Sequence, residues 1–144
     1  HPLEMDAIVN AAKNSLLGNL PKNLFTVKRC YLKLMKVTKS AVYFEGILGG
    51  GGIDWVINQA AGPYLLEENK THGGCPDGEA RINGGYRLPA KHVISTVGPR
   101  GENPNILRKA YISSLNKMKE ARLKSIALPC VSTGNLLNSK KFQF

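Results

Sequence analysis

The most distinctive local feature of the sequence is a run of four glycines that precedes an apolar stretch. The run consists of Gly49, Gly50, Gly51 and Gly52. The residues that follow predict a helix from Ile53 to about Ala61, so the glycines form its entrance. Because glycine has no Cβ, its backbone N–H groups can approach an anion closely, and the start of a helix adds partial positive charge. A diphosphate suits such a loop, although a flexible linker is an alternative that the glycines alone leave open.

An acidic and an amide side chain follow the glycines on one face of the predicted helix. Asp54 lies in the first turn, and Asn58 comes four residues later, which places both side chains on the same face. A carboxylate beside a phosphate-binding loop is electrostatically unfavourable unless it contacts ribose hydroxyl groups or a water molecule. Asp54 is therefore a candidate functional residue rather than an ordinary acid at a helix start.

Three short apolar runs predict strands that are buried on both faces of a parallel or mixed sheet. These runs are Asp6–Asn10, His92–Val97 and Ser125–Cys130. In open α/β sheets, ligands bind at the carboxyl ends of the strands. The site is therefore expected at three places, which are Asn10, the Gly98-Pro99 turn and the loop of Ser132, Thr133 and Gly134.

The segments between the strands predict helices that cover the sheet. Asn103 can cap a long helix, and Pro104 suits its first turn. The face of this helix that should pack on the sheet comprises Leu107, Tyr111, Ser114, Leu115 and Met118. A shorter helix is predicted from Tyr64 to Lys70, and the glycines between residues 73 and 85 predict a loop or a hairpin.

Several common catalytic arrangements do not occur in the sequence. There is no Gly-x-Ser-x-Gly elbow for a serine nucleophile and no GxGxxG fingerprint of a dinucleotide oxidoreductase. His1, His72 and His92 have neither triad nor metal-ligand spacing. The 3 Cys are far apart, which suggests neither a disulfide framework nor a zinc site. A reducing intracellular compartment is expected, with cytoplasm, nucleus and mitochondrion left open.

Length and charge set the class of protein. A chain of 144 residues predicts one compact domain, residues 1–144. No apolar run of about 20 residues predicts a membrane span, and the opening residues do not resemble a signal peptide. The formal net charge is +10, and half of it lies between residues 19 and 48. A mild positive surplus suits an anionic ligand, but it is also ordinary for a soluble surface.

The segment 19–48 fits the alternation of strands and helices poorly. Its apolar and basic residues are spaced as in a basic amphipathic helix, which could bind nucleic acid or an anionic surface. A solvated insertion without a specific partner is the simpler interpretation, and nucleic-acid binding is not favoured.

A series of motifs occurs in a characteristic order along nearly the whole chain, except in residues 19–48 and after Gly134. In the first half they are Asp6-Ala-Ile-Val-Asn-Ala-Ala12, Ser15-Leu-Leu-Gly18, Gly49-Gly-Gly-Gly-Ile-Asp54 and Ala60-Ala-Gly-Pro63. In the second half they are Gly73-Gly-Cys75, Gly78-Glu-Ala80, Leu88-Pro-Ala-Lys91, Thr96-Val-Gly-Pro99 and Pro129-Cys-Val-Ser-Thr-Gly134. Together they resemble the macrodomain family, and most of all its MacroD-type ADP-ribosyl hydrolases.

The resemblance implies a three-layer α/β/α sandwich with a mixed, mostly parallel sheet. It also implies binding of ADP-ribose, free or on a mono-ADP-ribosylated protein. The chain is expected to be a monomer. MacroD-type members remove ADP-ribose from acidic side chains and deacetylate O-acetyl-ADP-ribose with a bound water and without a metal or cofactor. By this resemblance Asp54 would orient the distal ribose or the water, and Asn10 would line the site. The loops that include Ile53 and residues 132–134 would close over the ligand.

The chain departs from the family pattern at catalytic positions. Lys13 stands where the family has a second asparagine, and Asn58 stands where it usually has histidine. Lysine donates hydrogen bonds but cannot accept them, so it cannot replace an amide that does both. The catalytic candidates are therefore Asp54, Asn58 and Lys13, in a hydrolase whose activity is expected to be weakened or lost.

Two larger departures concern the organisation of the chain. Residues 19–48 separate Gly18 from the glycine loop that follows it directly in the family, and residues 135–144 replace the family sequence after Gly134. Relative to family members, the sheet is expected to be truncated at both ends. A retained intron, a faulty gene model or a degenerate gene copy would each account for these features. An unstable fragment without function is a further alternative.

Overall fold

The computed structural model describes residues 5–17 and 52–132, which form four strands and three helices. The strands are β1 (Met5–Ala11), β2 (Ala80–Gly84), β3 (Ala90–Thr96) and β4 (Ile126–Ala127). The helices are α1 (Gly52–Ala61), α2 (Pro63–Thr71) and α3 (Pro104–Glu120). No helix in these two described ranges is long and apolar enough to cross a membrane.

The strands form one mixed sheet in the order β2-β3-β1-β4. β1 pairs in parallel with β3, with Val9 opposite Ile94, and in parallel with β4, with Ala7 opposite Ile126. β2 pairs with β3 in antiparallel orientation, so the predicted loop or hairpin region forms a hairpin. The carboxyl ends of the parallel strands β1, β3 and β4 consequently lie side by side. This end of the strands is the carboxyl edge of the sheet, and it is where the sequence predicts the site.

Helices cover both faces of the sheet because the side chains of its central strands alternate. Ile8 and Val93 belong to a core formed with Val56 and Ile57 of α1 and Leu65 of α2. The neighbouring positions face the opposite way, into a second core that includes Met118 of α3, and these are Ala7, Val9 and Ile94. The predicted α/β/α sandwich is therefore confirmed.

Helix α3 starts where the sequence predicts. The Oδ1 atom of Asn103 accepts a hydrogen bond from the backbone N–H of Ile106 at 3.1 Å, and Pro104 is the first helical residue. The face predicted to pack on the sheet is largely confirmed, but the prediction for Leu115 was wrong, because this side chain is 44% exposed. The buried residues of α3 are the small Ala110 and Ser114. They bring the helix close to the sheet and turn Leu115 towards solvent.

Strand β4 is shorter than the predicted Ser125–Cys130, because only Ile126 and Ala127 pair with β1. Leu128 is 44% exposed, and Pro129 has no N–H group to continue the ladder. Residues 128–132 therefore form a loop at the carboxyl edge of the sheet rather than the end of a strand.

Asp6 connects the strands at the end of the sheet opposite the carboxyl edge. Its Oδ2 atom accepts hydrogen bonds from the backbone N–H groups of Lys124, at 2.8 Å, and Ser125, at 3.2 Å. Its Oδ1 atom lies 3.1 Å from the Nζ atom of Lys91. These contacts, led by the Lys124 N–H, lower the pKa of Asp6 to about 2. One carboxylate thus joins the beginnings of β1, β3 and β4.

Candidate functional site

Asn10 brings the carboxyl end of β1 into contact with helix α1. The residue is completely buried and, by alternation along β1, lies on the same face as Ile8, towards α1. Its Nδ2 atom donates a hydrogen bond of 2.8 Å to Oδ1 of Asp54 and lies 3.4 Å from Oγ of Ser95, its register partner on β3. The sequence places Asn10 and Asp54 apart, and the structure joins them directly.

Asp54 is a buried carboxyl group in the first turn of α1, only 1% exposed. Its Oδ1 atom accepts hydrogen bonds from Nδ2 of Asn10 and, at 3.1 Å, from Nδ2 of Asn58. Burial raises the pKa of Asp54 above its ordinary value, while the Asn10 hydrogen bond, the charge of Lys13 and the Asn58 hydrogen bond oppose that rise. The carboxyl group therefore keeps its proton to a higher pH than an exposed aspartate does.

Three acceptor atoms of this cluster are buried and accept no hydrogen bond from residues 5–17 or 52–132. They are Asn10 Oδ1, Asp54 Oδ2 and Asn58 Oδ1. An acceptor buried in this way costs about 1–3 kcal/mol unless it receives a donor. A hydroxyl group or a water molecule can donate to these atoms, whereas a phosphate oxygen cannot. Asn69 on α2 and Asn83 on β2 also have unpartnered buried amides, but they lie between α2 and β2, outside this cluster.

Asn58 is held against Asp54 rather than pointed away from it. Its Nδ2 atom donates to the backbone carbonyl of Asp54 at 2.8 Å as well as to the Asp54 carboxylate. Both side-chain N–H groups are engaged in this way, so the side chain offers the site an acceptor and no donor.

Lys13 lies two residues beyond β1, and its side chain is exposed. Its positive charge lowers the pKa of Asp54, which places the ammonium group within electrostatic range of the buried carboxyl. Lys13 therefore contributes positive charge near the cluster, and its catalytic role stays a prediction.

Asn14 has a role that sequence reasoning missed. Its Nδ2 atom donates to the carbonyl of Cys75 at 3.0 Å and to Oδ1 of Asp77 at 2.7 Å, and its Oδ1 atom accepts from Arg100 at 3.0 Å. A Cβ atom at Gly74 would lie 2.9 Å from the Asn14 carbonyl oxygen, so glycine permits this close approach. Asn14 thereby connects the segments that follow β1 and β3 to the loop before β2.

The Gly98-Pro99 turn contacts Ser132, so the structure brings together two of the places where the sequence predicts the site. Ser132 Oγ donates to the carbonyl of Pro99 at 3.2 Å, and a Cβ atom at Gly98 would overlap Ser132 Oγ. Ser132 itself has a φ of 60°, in the left-handed region that non-glycine residues rarely adopt. The loop after β4 therefore packs directly against the residues that follow β3.

Not all predicted ligand-binding residues belong to the described part of the chain. Gly49, Gly50, Gly51, Thr133, Gly134 and the whole segment 19–48 lie outside it. Gly52 is the first residue of α1, and the half-buried Ile53 packs against the core beneath α1 and α2. Within residues 5–17 and 52–132, no group of three or more His, Cys, Asp or Glu could hold a metal ion.

Comparison with known protein families and proteins gives consistent matches. A family model described as Macro domain matches residues 44–141. The chain is 43% identical over 138 residues to ADP-ribose glycohydrolase MACROD1 of Rattus norvegicus, covering 92% of this chain and 42% of that protein. It is 41% identical over 138 residues to a macro domain-containing protein of Methanosarcina mazei, covering 92% of this chain and 57% of that protein.

Solved structures agree with the sequence matches. The Trypanosoma brucei macrodomain in complex with ADP-ribose superposes with a TM-score of 0.67 at 40% identity, covering 91% of this chain and 43% of that one. The Oceanobacillus iheyensis macrodomain with ADP superposes with a TM-score of 0.63 at 30% identity, covering 91% and 59%. The chain thus spans about two fifths to three fifths of the length of these relatives. The order of its motifs, its fold and these matches agree, and the chain belongs to the macrodomain family.

Proposed function

We propose that this chain binds ADP-ribose, free or attached to a protein, at the carboxyl edge of its sheet. The observation that carries the proposal is the cluster of Asn10, Asp54 and Asn58, with its three buried acceptors that lack donors in the described part of the chain. The hydroxyl groups of a ribose are donors of this kind. The relatives include an ADP-ribose glycohydrolase and a macrodomain in complex with ADP-ribose. The ribose proposed to donate these hydrogen bonds is therefore that of ADP-ribose.

The distal ribose and the diphosphate of ADP-ribose require different surroundings. The acceptor cluster suits the distal ribose but would repel a diphosphate. The exposed ammonium of Lys13 and the backbone N–H groups expected from Gly49–Gly52 suit the diphosphate. The ligand is therefore proposed to lie with its ribose over Asp54 and its phosphates over the start of α1.

The same cluster is proposed to support slow hydrolysis of ADP-ribose from acidic side chains. In this reaction a water attacks the anomeric carbon of the distal ribose and the bond from that carbon to the side-chain oxygen breaks. The side chain leaves as a carboxylate, and the proton of the water passes to solvent. Asp54 Oδ2 is buried and has no partner among the described residues, and it is proposed to accept a hydrogen bond from the water or from a ribose hydroxyl. Asn58 cannot donate a proton as a histidine would, because an amide does not ionise near neutral pH, and both its N–H groups are hydrogen-bonded to Asp54.

Calorimetric titration with ADP-ribose tests the binding proposal. We expect one saturable site in the wild-type chain and at least about tenfold weaker binding after Asp54→Ala, which removes the acceptor of the ribose. Glu120→Gln is the control, since Glu120 pairs with Lys117 on the exposed side of α3. Absence of heat from the wild-type chain at millimolar ligand would refute the proposal.

A release assay on a protein mono-ADP-ribosylated at acidic side chains tests the catalytic proposal. With the rat relative as reference enzyme, we expect release by this chain to be slower by about a hundredfold or more, since positioned polar groups differ at two sites. The double variant Lys13→Asn and Asn58→His should recover part of the rate. Release at the reference rate by the wild-type chain would contradict the proposed loss of activity.

A further inference from the structure

Tyr111 links helix α3 to the loop that follows β4. Its hydroxyl group donates a hydrogen bond to the backbone carbonyl of Pro129 at 3.2 Å and accepts one from the backbone N–H of Val131 at 3.0 Å. The two bonds lie on either side of Cys130, so one side chain fixes the path of the backbone there. The sequence predicts Tyr111 only as a residue that packs on the sheet.

The hydroxyl group of Tyr111 is suited to hold both bonds at neutral pH. Burial raises the pKa of Tyr111 above its ordinary value, even though the Val131 hydrogen bond opposes the rise. The group therefore keeps its proton and remains both a donor and an acceptor.

The loop after β4 needs the support of Tyr111 because Ser132, which follows Val131, has an unfavourable backbone conformation. Ser132 has a φ of 60°, which an L-residue adopts only when its surroundings hold it. The Ser132 Oγ bond to Pro99 supplies contact from the β3 side, and Tyr111 supplies it from α3. The loop is thus clamped from two elements before any ligand arrives.

We propose that Tyr111 is a positioning residue for ligand binding, which holds residues 129–132 in the conformation that receives ADP-ribose. This inference rests on the proposed function. Tyr111 acts through the loop backbone and does not touch the ligand itself. A loop that is already ordered loses little conformational entropy when the ligand binds, so the clamp increases affinity by preorganisation.

The variant Tyr111→Phe tests the proposal because it removes only the hydroxyl group. We expect its affinity for ADP-ribose to fall about tenfold, the loss that corresponds to about 1.4 kcal/mol, with a more unfavourable binding entropy. The matched control is Tyr86→Phe, which also removes a hydroxyl hydrogen bond, that of 2.7 Å to Glu68 Oε2. Tyr86 lies in the hairpin between β2 and β3, at the opposite edge of the sheet, and its variant should bind normally.

Amide hydrogen exchange distinguishes positioning from a general loss of stability. In Tyr111→Phe the Val131 amide should exchange faster, whereas the amides of β3 should keep the wild-type rate. Faster exchange throughout the sheet, unchanged exchange of Val131, or wild-type affinity in Tyr111→Phe would each overturn the proposal. Failure of the wild-type chain itself to bind would instead refute the proposed function, and the Val131 exchange would still decide whether Tyr111 restrains the loop.

Discussion

Burial of the Asp54 carboxyl group costs folding free energy, and the same group belongs to the proposed binding site. It is buried in the first turn of α1, and the two amide N–H groups that reach it share a single oxygen atom. The second oxygen is left for a ligand or a water. An apolar or neutral side chain at this position would be easier to bury, so the proposed role of Asp54 comes at a cost in stability.

The variant Asp54→Asn should therefore be more stable than the wild-type chain at pH 7. Because the pKa of Asp54 is raised in the folded state, the unfolded chain ionises first as the pH rises past the ordinary value of 3.8, and stability falls until the folded pKa is passed. Asparagine does not ionise and avoids this loss. Thermal unfolding should show a higher Tm for the variant at pH 7 and little difference below pH 3.8. A lower Tm at pH 7 would contradict the prediction.

At the scale of the secondary-structure elements, Asp6 connects the strands. Its ionisation stabilises the fold, whereas the ionisation of Asp54 destabilises it. The folded pKa of Asp6, about 2, lies below the ordinary 3.8, so the ionised form stabilises the fold above that ordinary value, and this contribution is lost as the pH falls towards 2. Asp6→Asn should lower Tm at pH 7, and the difference from wild type should shrink between pH 3.8 and 2. Glu120→Gln, in an exposed pair, should hardly change Tm at either pH. A pH-independent deficit in Asp6→Asn would show that charge is not the cause.

The contact between the β3 exit and the loop after β4 depends on the absence of a side chain at Gly98. An alanine Cβ there would overlap Ser132 Oγ and lie 2.5 Å from Cγ1 of the buried Val131. Gly98→Ala should cost about 1–3 kcal/mol in the free energy of unfolding, as overpacking does, and should weaken ADP-ribose binding by displacing the loop. Gly84→Ala is the control, because its Cβ would make only ordinary contacts, the nearest at 3.5 Å. Equal effects of the two variants would contradict this account.

The sequence predicts elements better than it predicts contacts between them. Apolar runs and helical spacing located β1, β3 and all three helices, since both signals are local. Helical spacing does not predict the exposure of Leu115 on α3, because the pattern of large apolar residues gives no sign that the small Ala110 allows close packing. Asn14 and Tyr111 bond to backbone groups far along the chain, and no residue type or spacing marks such partners in advance.

At the scale of the whole molecule, the Asn10–Asp54 bond closes a loop of 44 residues that contains the segment 19–48. If that segment is an insertion, its deletion shortens the loop to about 14 residues and should raise the free energy of unfolding by about 1 kcal/mol, since closure entropy grows with the logarithm of length. Chemical denaturation of the deleted and full chains measures the difference. A marked loss of stability on deletion would show that these residues contribute to the folded domain.

The order of the strands also bears on how the protein is made in a cell. β1 lies between β3 and β4, yet it is the first of the four strands to be synthesised. A ribosome therefore releases this apolar strand long before residues 90–96 and 126–127 exist to flank it. Until then the nascent chain exposes an unpaired, aggregation-prone segment, so its yield should depend on chaperones that shield it during translation.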